Sequence, residues 1–238
     1  MALTLLQIVT QFCERKNLSV PATVFANTDP QVKQIRALLE KEGIDLSGRG
    51  AWEGITFQVT HTTLAAEDQG AMTTIAGAGF KYIKNQTIWD RTASLPVIGP
   101  VSASEWQALK ALAATSPRYR FRIRGGKLLA DPVPTAGSTW AFEYVSKYWI
   151  QATAAGAYRQ YFAADTDVVL LPDEVVIQGL EWRWKAEKGL DYAEDFRSYE
   201  LMVKDAIGRD GGKSVLSMGD GWSGPKPGVF VPSGSWPT

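Results

Sequence analysis

The chain has 238 residues, 45% hydrophobic and 21% charged, which suits one sizeable domain or two small ones with a real core. Lys+Arg and Asp+Glu both number 25, so no overall charge drives binding to nucleic acid or to a membrane. One Cys and one His exclude an internal disulfide framework and the usual zinc ligand sets, and no stretch approaches a membrane span. Cys13 fits a reducing compartment, and no secretory leader is visible at the start, so synthesis in the cytoplasm without export is expected.

In chain order, a first helix is expected from Leu3 to about Lys16, with Leu5, Ile8, Val9 and Phe12 on one face. A second starts at Asp29-Pro30, an N-cap followed by Pro at the first helical position, and Gly43 or Gly48 is expected to close it. Its apolar stripe is Val32, Ile35, Leu38 and Leu39. Ile55, Phe57, Val59 and His61 alternate with polar residues as in a half-buried strand. Phe80 to Arg91 is mixed. Ser102 with Glu105 forms a capping box for a short helix to about Ala113. Residues 119–124 alternate strictly, Gly125-Gly126 turns, and Lys127-Leu128-Leu129 returns as the second arm of a hairpin. Trp140, Phe142, Tyr144 and Tyr148 continue as a strand. Two further helices are expected from Pro172 to about Lys188, with Val176, Leu180 and Trp184 on one face, and from about Asp191 to Ile207. The last carries Tyr192, Phe196, Tyr199, Val203 and Ile207 on one side.

The two N-terminal helices are too short to bury their stripes against each other alone and need the late helices. The pattern therefore reads as α+β, a helical bundle built from both ends of the chain (1–50 and 165–208) around a central antiparallel β insertion (51–164). The expected bundle core is Phe12, Ile35, Leu38, Leu180, Trp184, Tyr192, Phe196 and Val203. Beyond it, residues 209–238 form an extended arm. From Gly208 to Thr238 there are eight Gly and four Pro, with large apolar side chains set among them. Burying Trp222, Phe230 and Trp236 would return on the order of 12–18 kcal/mol. Ordering a backbone costs about 1–2 kcal/mol per residue, so the arm cannot order itself on these rings alone. It is expected to gain shape by lying along a partner, with Trp222, Val229, Phe230, Val231 and Trp236 as contacts and Val229 and Val231 able to pair as an added strand.

Signals for catalysis are weak. Gly212-Lys213-Ser214 resembles the end of a phosphate-binding loop, but the required first glycine falls at Ile207. Gly219-Asp220-Gly221-Trp222-Ser223-Gly224 matches G-x-G-x-x-G without a surrounding βαβ unit. His61 lacks a triad context and reads as a strand residue. Asp191, Glu194 and Asp195 lie on one helix turn near Asp165 and Asp167, and helix-dipole complementation explains them more simply than a sugar cleft does. Arg118, Arg120, Arg122 and Arg124 would project from one strand face. Without a basic excess, a solvated or interface-facing edge is preferred to a nucleic-acid ribbon. No catalytic residue, metal site or cofactor is expected.

The segments Leu171-Pro172-Asp173-Glu174, Gly179-Leu180-Glu181-Trp182-Arg183-Trp184-Lys185 and Gly189-Leu190-Asp191-Tyr192-Ala193-Glu194-Asp195-Phe196 resemble those of phage head–tail adaptor proteins. These are the tail tubular A proteins and related portal-bound head-completion proteins of short-tailed phages. Leu5-Leu6-Gln7-Ile8-Val9, Phe12-Cys13-Glu14-Arg15, Asp29-Pro30-Gln31-Val32, Ile123-Arg124-Gly125-Gly126-Lys127-Leu128 and Phe142-Glu143-Tyr144-Val145-Ser146 fit the same pattern in order. The resemblance implies a structural virion protein at the head–tail interface, a homo-oligomeric ring usually of twelve copies docked under the portal protein. Such a ring extends the channel for genome ejection, lets double-stranded DNA pass without specific binding, and carries the tail nozzle or tail tube protein. The arm would reach onto the portal, and the ring would need a heterologous interface. Alternatives are a virion-associated peptidoglycan hydrolase acting through Glu194 and Asp195, or another neck or tail-completion protein.

Overall fold

A computed structural model of the chain describes residues 2–111, 118–153 and 157–211. It contains both helices and antiparallel sheets, a mixed α+β architecture. In chain order the elements are α1 (Leu5–Arg15), α2 (Pro30–Arg49), β1 (Thr56–Thr62), β2 (Asp68–Ala71), α3 (Met72–Ile75), β3 (Phe80–Ile83), β4 (Trp89–Asp90), β5 (Leu95–Pro96), α4 (Ala103–Ala111), β6 (Arg120–Arg124), β7 (Lys127–Asp131), β8 (Thr139–Ser146), β9 (Ile150–Gln151), β10 (Tyr158–Arg159), β11 (Val168–Val169), α5 (Asp173–Glu187) and α6 (Ala193–Arg209). No helix among the described residues is long and apolar enough to cross a membrane.

The chain divides into two compact units. The first comprises the described residues of Met1–Val59, Gly70–Lys84 and Phe142–Lys213. The capping box that starts α1 lies at Thr4, whose hydroxyl accepts from the Gln7 amide at 3.3 Å while its own amide donates to the Gln7 side chain at 2.9 Å. Asp29 caps α2 by accepting from the Gln31 amide at 2.7 Å. α5 ends in a Schellman motif, with the Leu190 amide donating to Lys185 O and the Gly189 amide to Ala186 O. α5 packs against α1, α2 and α6. Leu5, Ile8, Phe12, Ile35, Leu39, Val176, Leu180 and Val203 share one core with Val145, Trp149, Ile150, Phe162 and Val169 from the strand segments. In this unit β9 lies between β10 and β11, and β3 pairs antiparallel with the later half of β8, setting Tyr82 opposite Val145 and Ile83 opposite Tyr144.

The second unit holds Thr60–Gln69 and Asn85–Ala141. Its clearest element is the β6–β7 hairpin, in register from Arg120 opposite Asp131 to Arg124 opposite Lys127. The two-residue turn puts Gly125 and Gly126 at φ +58° and +73°, the left-handed pair that a tight hairpin requires. β4 pairs with β5 and with the first residues of β8. Trp106 of α4 packs with Val101 and Leu129. The Ser102 hydroxyl accepts from the Glu105 amide at 3.2 Å and starts α4.

Several sequence expectations need correction. α2 does not close at Gly43 or Gly48 but runs to Arg49. Gly43 instead permits close packing, because a Cβ there would stand 2.3 Å from the Trp149 ring. α5 is buried on most of its circumference rather than on one face, since three helices surround it. Of the expected β insertion, the described residues of 51–59, 70–84 and 142–164 fall in the unit that contains the helices, where Ile55, Val145, Trp149, Ile150 and Phe162 feed the helical core. Tyr192 and Phe196 do not belong to the buried core. They are 43% and 38% exposed, because α6 starts only at Ala193 and its inward face is sealed further along, at Tyr199 and Val203.

Candidate functional site

The other expected core residues, Phe12, Ile35, Leu38, Leu180, Trp184 and Val203, are buried together. The Phe12 and Trp184 rings meet edge to face at 5.7 Å. Tyr192 and Phe196 gather instead around Trp182, the Phe196 ring 5.0 Å from it.

Within this core lies a polar cluster that the apolar stripes did not announce. Glu42 of α2 is fully buried. Its Oε2 accepts from Arg183 Nε at 2.6 Å and its Oε1 from the Tyr199 hydroxyl at 2.6 Å, tying α2, α5 and α6 to one carboxylate. Arg183 also donates to Asp45 at 2.8 Å, and Arg49 pairs with Glu200 at 2.5 Å. Burial pushes the Glu42 carboxyl up, against the opposing pull of Tyr199 and Arg183. Burial and the Glu42 charge together raise the Tyr199 phenol. The cluster fixes the relative placement of three helices, and a removed partner would leave a buried charge uncompensated. One sequence signal was present: Glu42 sits at the spacing of Leu39 and Leu46 on an apolar face.

The described chain ends beside a cleft of about 230 Å³ whose lining includes Gly50, Trp52, Glu53, Lys84, Ile207 and Asp210. Asp210, just after α6, accepts from the Glu53 amide at 2.8 Å, and Glu53 pairs with Lys84 at 2.5 Å. Trp52 is buried, its indole donating to Leu46 O at 2.8 Å. The chain therefore leaves residue 211 from an anchored position. The arm residues Trp222, Val229, Phe230, Val231 and Trp236 lie outside the described residues, as do Gly212-Lys213-Ser214 and the G-x-G-x-x-G match.

The acids weighed for catalysis each have local work. Asp195 pairs with Lys185 at 2.5 Å, and Asp191 accepts from the Ala193 amide at the start of α6. Glu194 lies 3.8 Å from Arg197, both strongly exposed. Asp165 accepts from the Val24 and Phe25 amides, and buried Asp167 from those of Ala163 and Ala164. His61 is half-buried with its Nε2 3.4 Å from Gln69 Oε1, and burial lowers its pKa. Among the described residues no group of three or more His, Cys, Asp or Glu is placed to hold a metal ion. Of the four arginines expected on one strand face, Arg120, Arg122 and Arg124 share a face of β6, while Arg118 precedes the strand.

No protein-family model matches the sequence, and no curated protein matches it.

Proposed function

We propose that the chain is a structural virion protein, a head–tail adaptor that forms a ring beneath the portal protein, extends the DNA channel and offers a platform to the tail nozzle or tail tube. In this reading the helices of both termini form a bundle with a β insertion, and the arm, expected over 209–238, starts past the end of α6 at Arg209 and seats on the portal. Position in the virion at the head–tail interface follows from the same reading, after synthesis in the host cytoplasm. The chain works without a catalytic cycle or a cofactor.

The observation that carries the reading is the anchored departure of the chain at Asp210 and Gly211, from which a Gly- and Pro-rich segment bearing Trp222, Phe230 and Trp236 continues. A fixed root with an aromatic, backbone-rich extension is the arrangement by which one subunit reaches another and adds main-chain hydrogen bonds to its surface. The resemblance to head–tail adaptors supplies the identity of that partner. Repeating the contact around a ring multiplies weak arms into a stable attachment.

The test is co-sedimentation with isolated portal rings of the full chain and of a chain ending at Gly211. The shortened chain is expected to stay folded and lose the portal. Unchanged portal affinity would overturn the arm assignment, and co-sedimentation with an isolated tail component instead of the portal would make the protein a tail-completion factor.

A further inference from the structure

We infer that the arginine face of the β6–β7 hairpin contacts the phosphates of duplex DNA through Arg120, Arg122 and Arg124. Alternate residues of a strand share one face, about 6.6–6.8 Å apart, so the three guanidiniums form a row. Across the hairpin they stand opposite Asp131, Leu129 and Lys127. The carboxylate directly opposite the row is already engaged: Asp131, across from Arg120, accepts from Lys110 at 2.5 Å, and Lys110 also reaches Glu67 at 3.0 Å. Lys127 draws Asp68 to itself at 2.6 Å. Residues 112–117, Leu-Ala-Ala-Thr-Ser-Pro, add no acid. Among the described residues no carboxylate pairs with Arg120, Arg122 or Arg124, whereas Arg15, Arg49, Arg159, Arg183, Arg197 and Arg209 each have one within 4.0 Å.

The row is held firmly. On its other face the hairpin buries Phe121, Leu128 and Ala130, and on the arginine face Leu129 is buried with Val101 and Trp106, so Arg120 and Arg122 are half-buried, Arg124 is exposed, and the three like charges sit on a fixed ribbon although they repel one another. A repeating anion relieves that repulsion. A regular row of donors, with no acceptor between them, suits a phosphate backbone and reads no base sequence. An acidic face on a second copy fits less well. Glu187, Asp191 and Glu194, exposed acids around the α5–α6 turn, are interleaved with Lys188 and Arg197 and form no matching row. The zero net charge keeps the contact local and weak, as a surface past which DNA slides must be. The inference deepens the adaptor reading and rests on it for where the DNA is met.

The experiment measures fluorescence anisotropy of a labelled random-sequence duplex with the full-length protein across a salt series. Three phosphate contacts predict a slope of log K on log salt of about −2.7, or about a 40-fold loss between about 20 and about 80 mM salt. Replacing Arg122 by Gln should make the slope shallower by about 0.9. R120Q/R122Q/R124Q should abolish binding, and the Lys counterpart, R120K/R122K/R124K, should keep the slope, which separates lost charge from lost folding. Arg197→Gln serves as a control and should change nothing. Absence of binding at the lowest salt, or an unchanged slope in the triple Gln variant, would overturn the inference. So would a triple Gln variant that loses self-association by sedimentation while still binding DNA, since the row would then belong to a second copy. Each of these failures leaves the portal test of the Gly211-terminated chain standing.

Discussion

Gly179→Ala tests the helical core at its tightest point. A methyl there would stand 2.2 Å from the Glu42 carboxyl carbon and from Oε1. Glu42 has no room to retreat, being fully buried and held by Arg183 and Tyr199. In an unconstrained helix the substitution stabilises by about 1 kcal/mol, because alanine has the higher helix propensity. Here it must dislodge a buried, hydrogen-bonded carboxylate, and breaking such a pair costs about 3–5 kcal/mol. The expected net loss is about 2–4 kcal/mol, roughly 5–15 °C in Tm for a chain of this size. Urea unfolding followed by Trp fluorescence measures it as a lower midpoint at unchanged slope. Gly48→Ala, on the exposed side of α2 with only Lys81 Nζ at 3.8 Å, is the control and should be neutral or slightly stabilising. If Gly179→Ala proves as stable as the parent, the close approach of α2 and α5 is wrong.

Glu42 has a raised pKa, so the stability tied to its protonated form is complete below the ordinary value of 4.5 and is lost as pH rises through the folded-state value. Urea midpoints across pH should therefore fall relative to Glu42→Gln as pH climbs above 4.5, and parallel profiles would refute the burial argument. His61 has a lowered pKa, so its contribution is complete above 6.5 and is lost as pH falls through the folded-state value. An NMR titration of its ring should give a midpoint below 6.5, and one above that would contradict its burial. Cys13 is buried, and burial pushes its thiol above 9.0. It should label slowly with a thiol reagent in the native protein and promptly in urea; prompt native labelling would place it at the surface.

Local chemistry was legible where it acts locally. Asp29-Pro30 marks a helix start by satisfying free amides at short range, and Gly125-Gly126 turns a hairpin because two successive left-handed residues leave little choice. Gly43 misled, since a glycine inside a helix and a glycine that ends one look alike until Trp149 is brought against it. The α5 stripe of Val176, Leu180 and Trp184 was visible, but Glu181 and Arg183 look like a solvent face. Their charges meet partners from α1 and α2 more than a hundred residues away, Arg15 for Glu181 and Glu42 for Arg183. Tyr192 and Phe196 followed the stripe in sequence yet lie where α6 only begins, so the period alone overestimated their burial. Arg120, Arg122 and Arg124 could be placed on one face from alternation. That Asp131, opposite Arg120, is held by Lys110 could not be read from sequence.

The most direct test of the adaptor account is a low-resolution reconstruction of the virion with this protein tagged at its N-terminus. The account predicts a ring of tag density immediately beneath the portal vertex, with the segment after Gly211 extending onto the portal. Tag density at the distal tail tip or inside the capsid, or a terminal segment folded back on its own subunit without touching the portal, would contradict it.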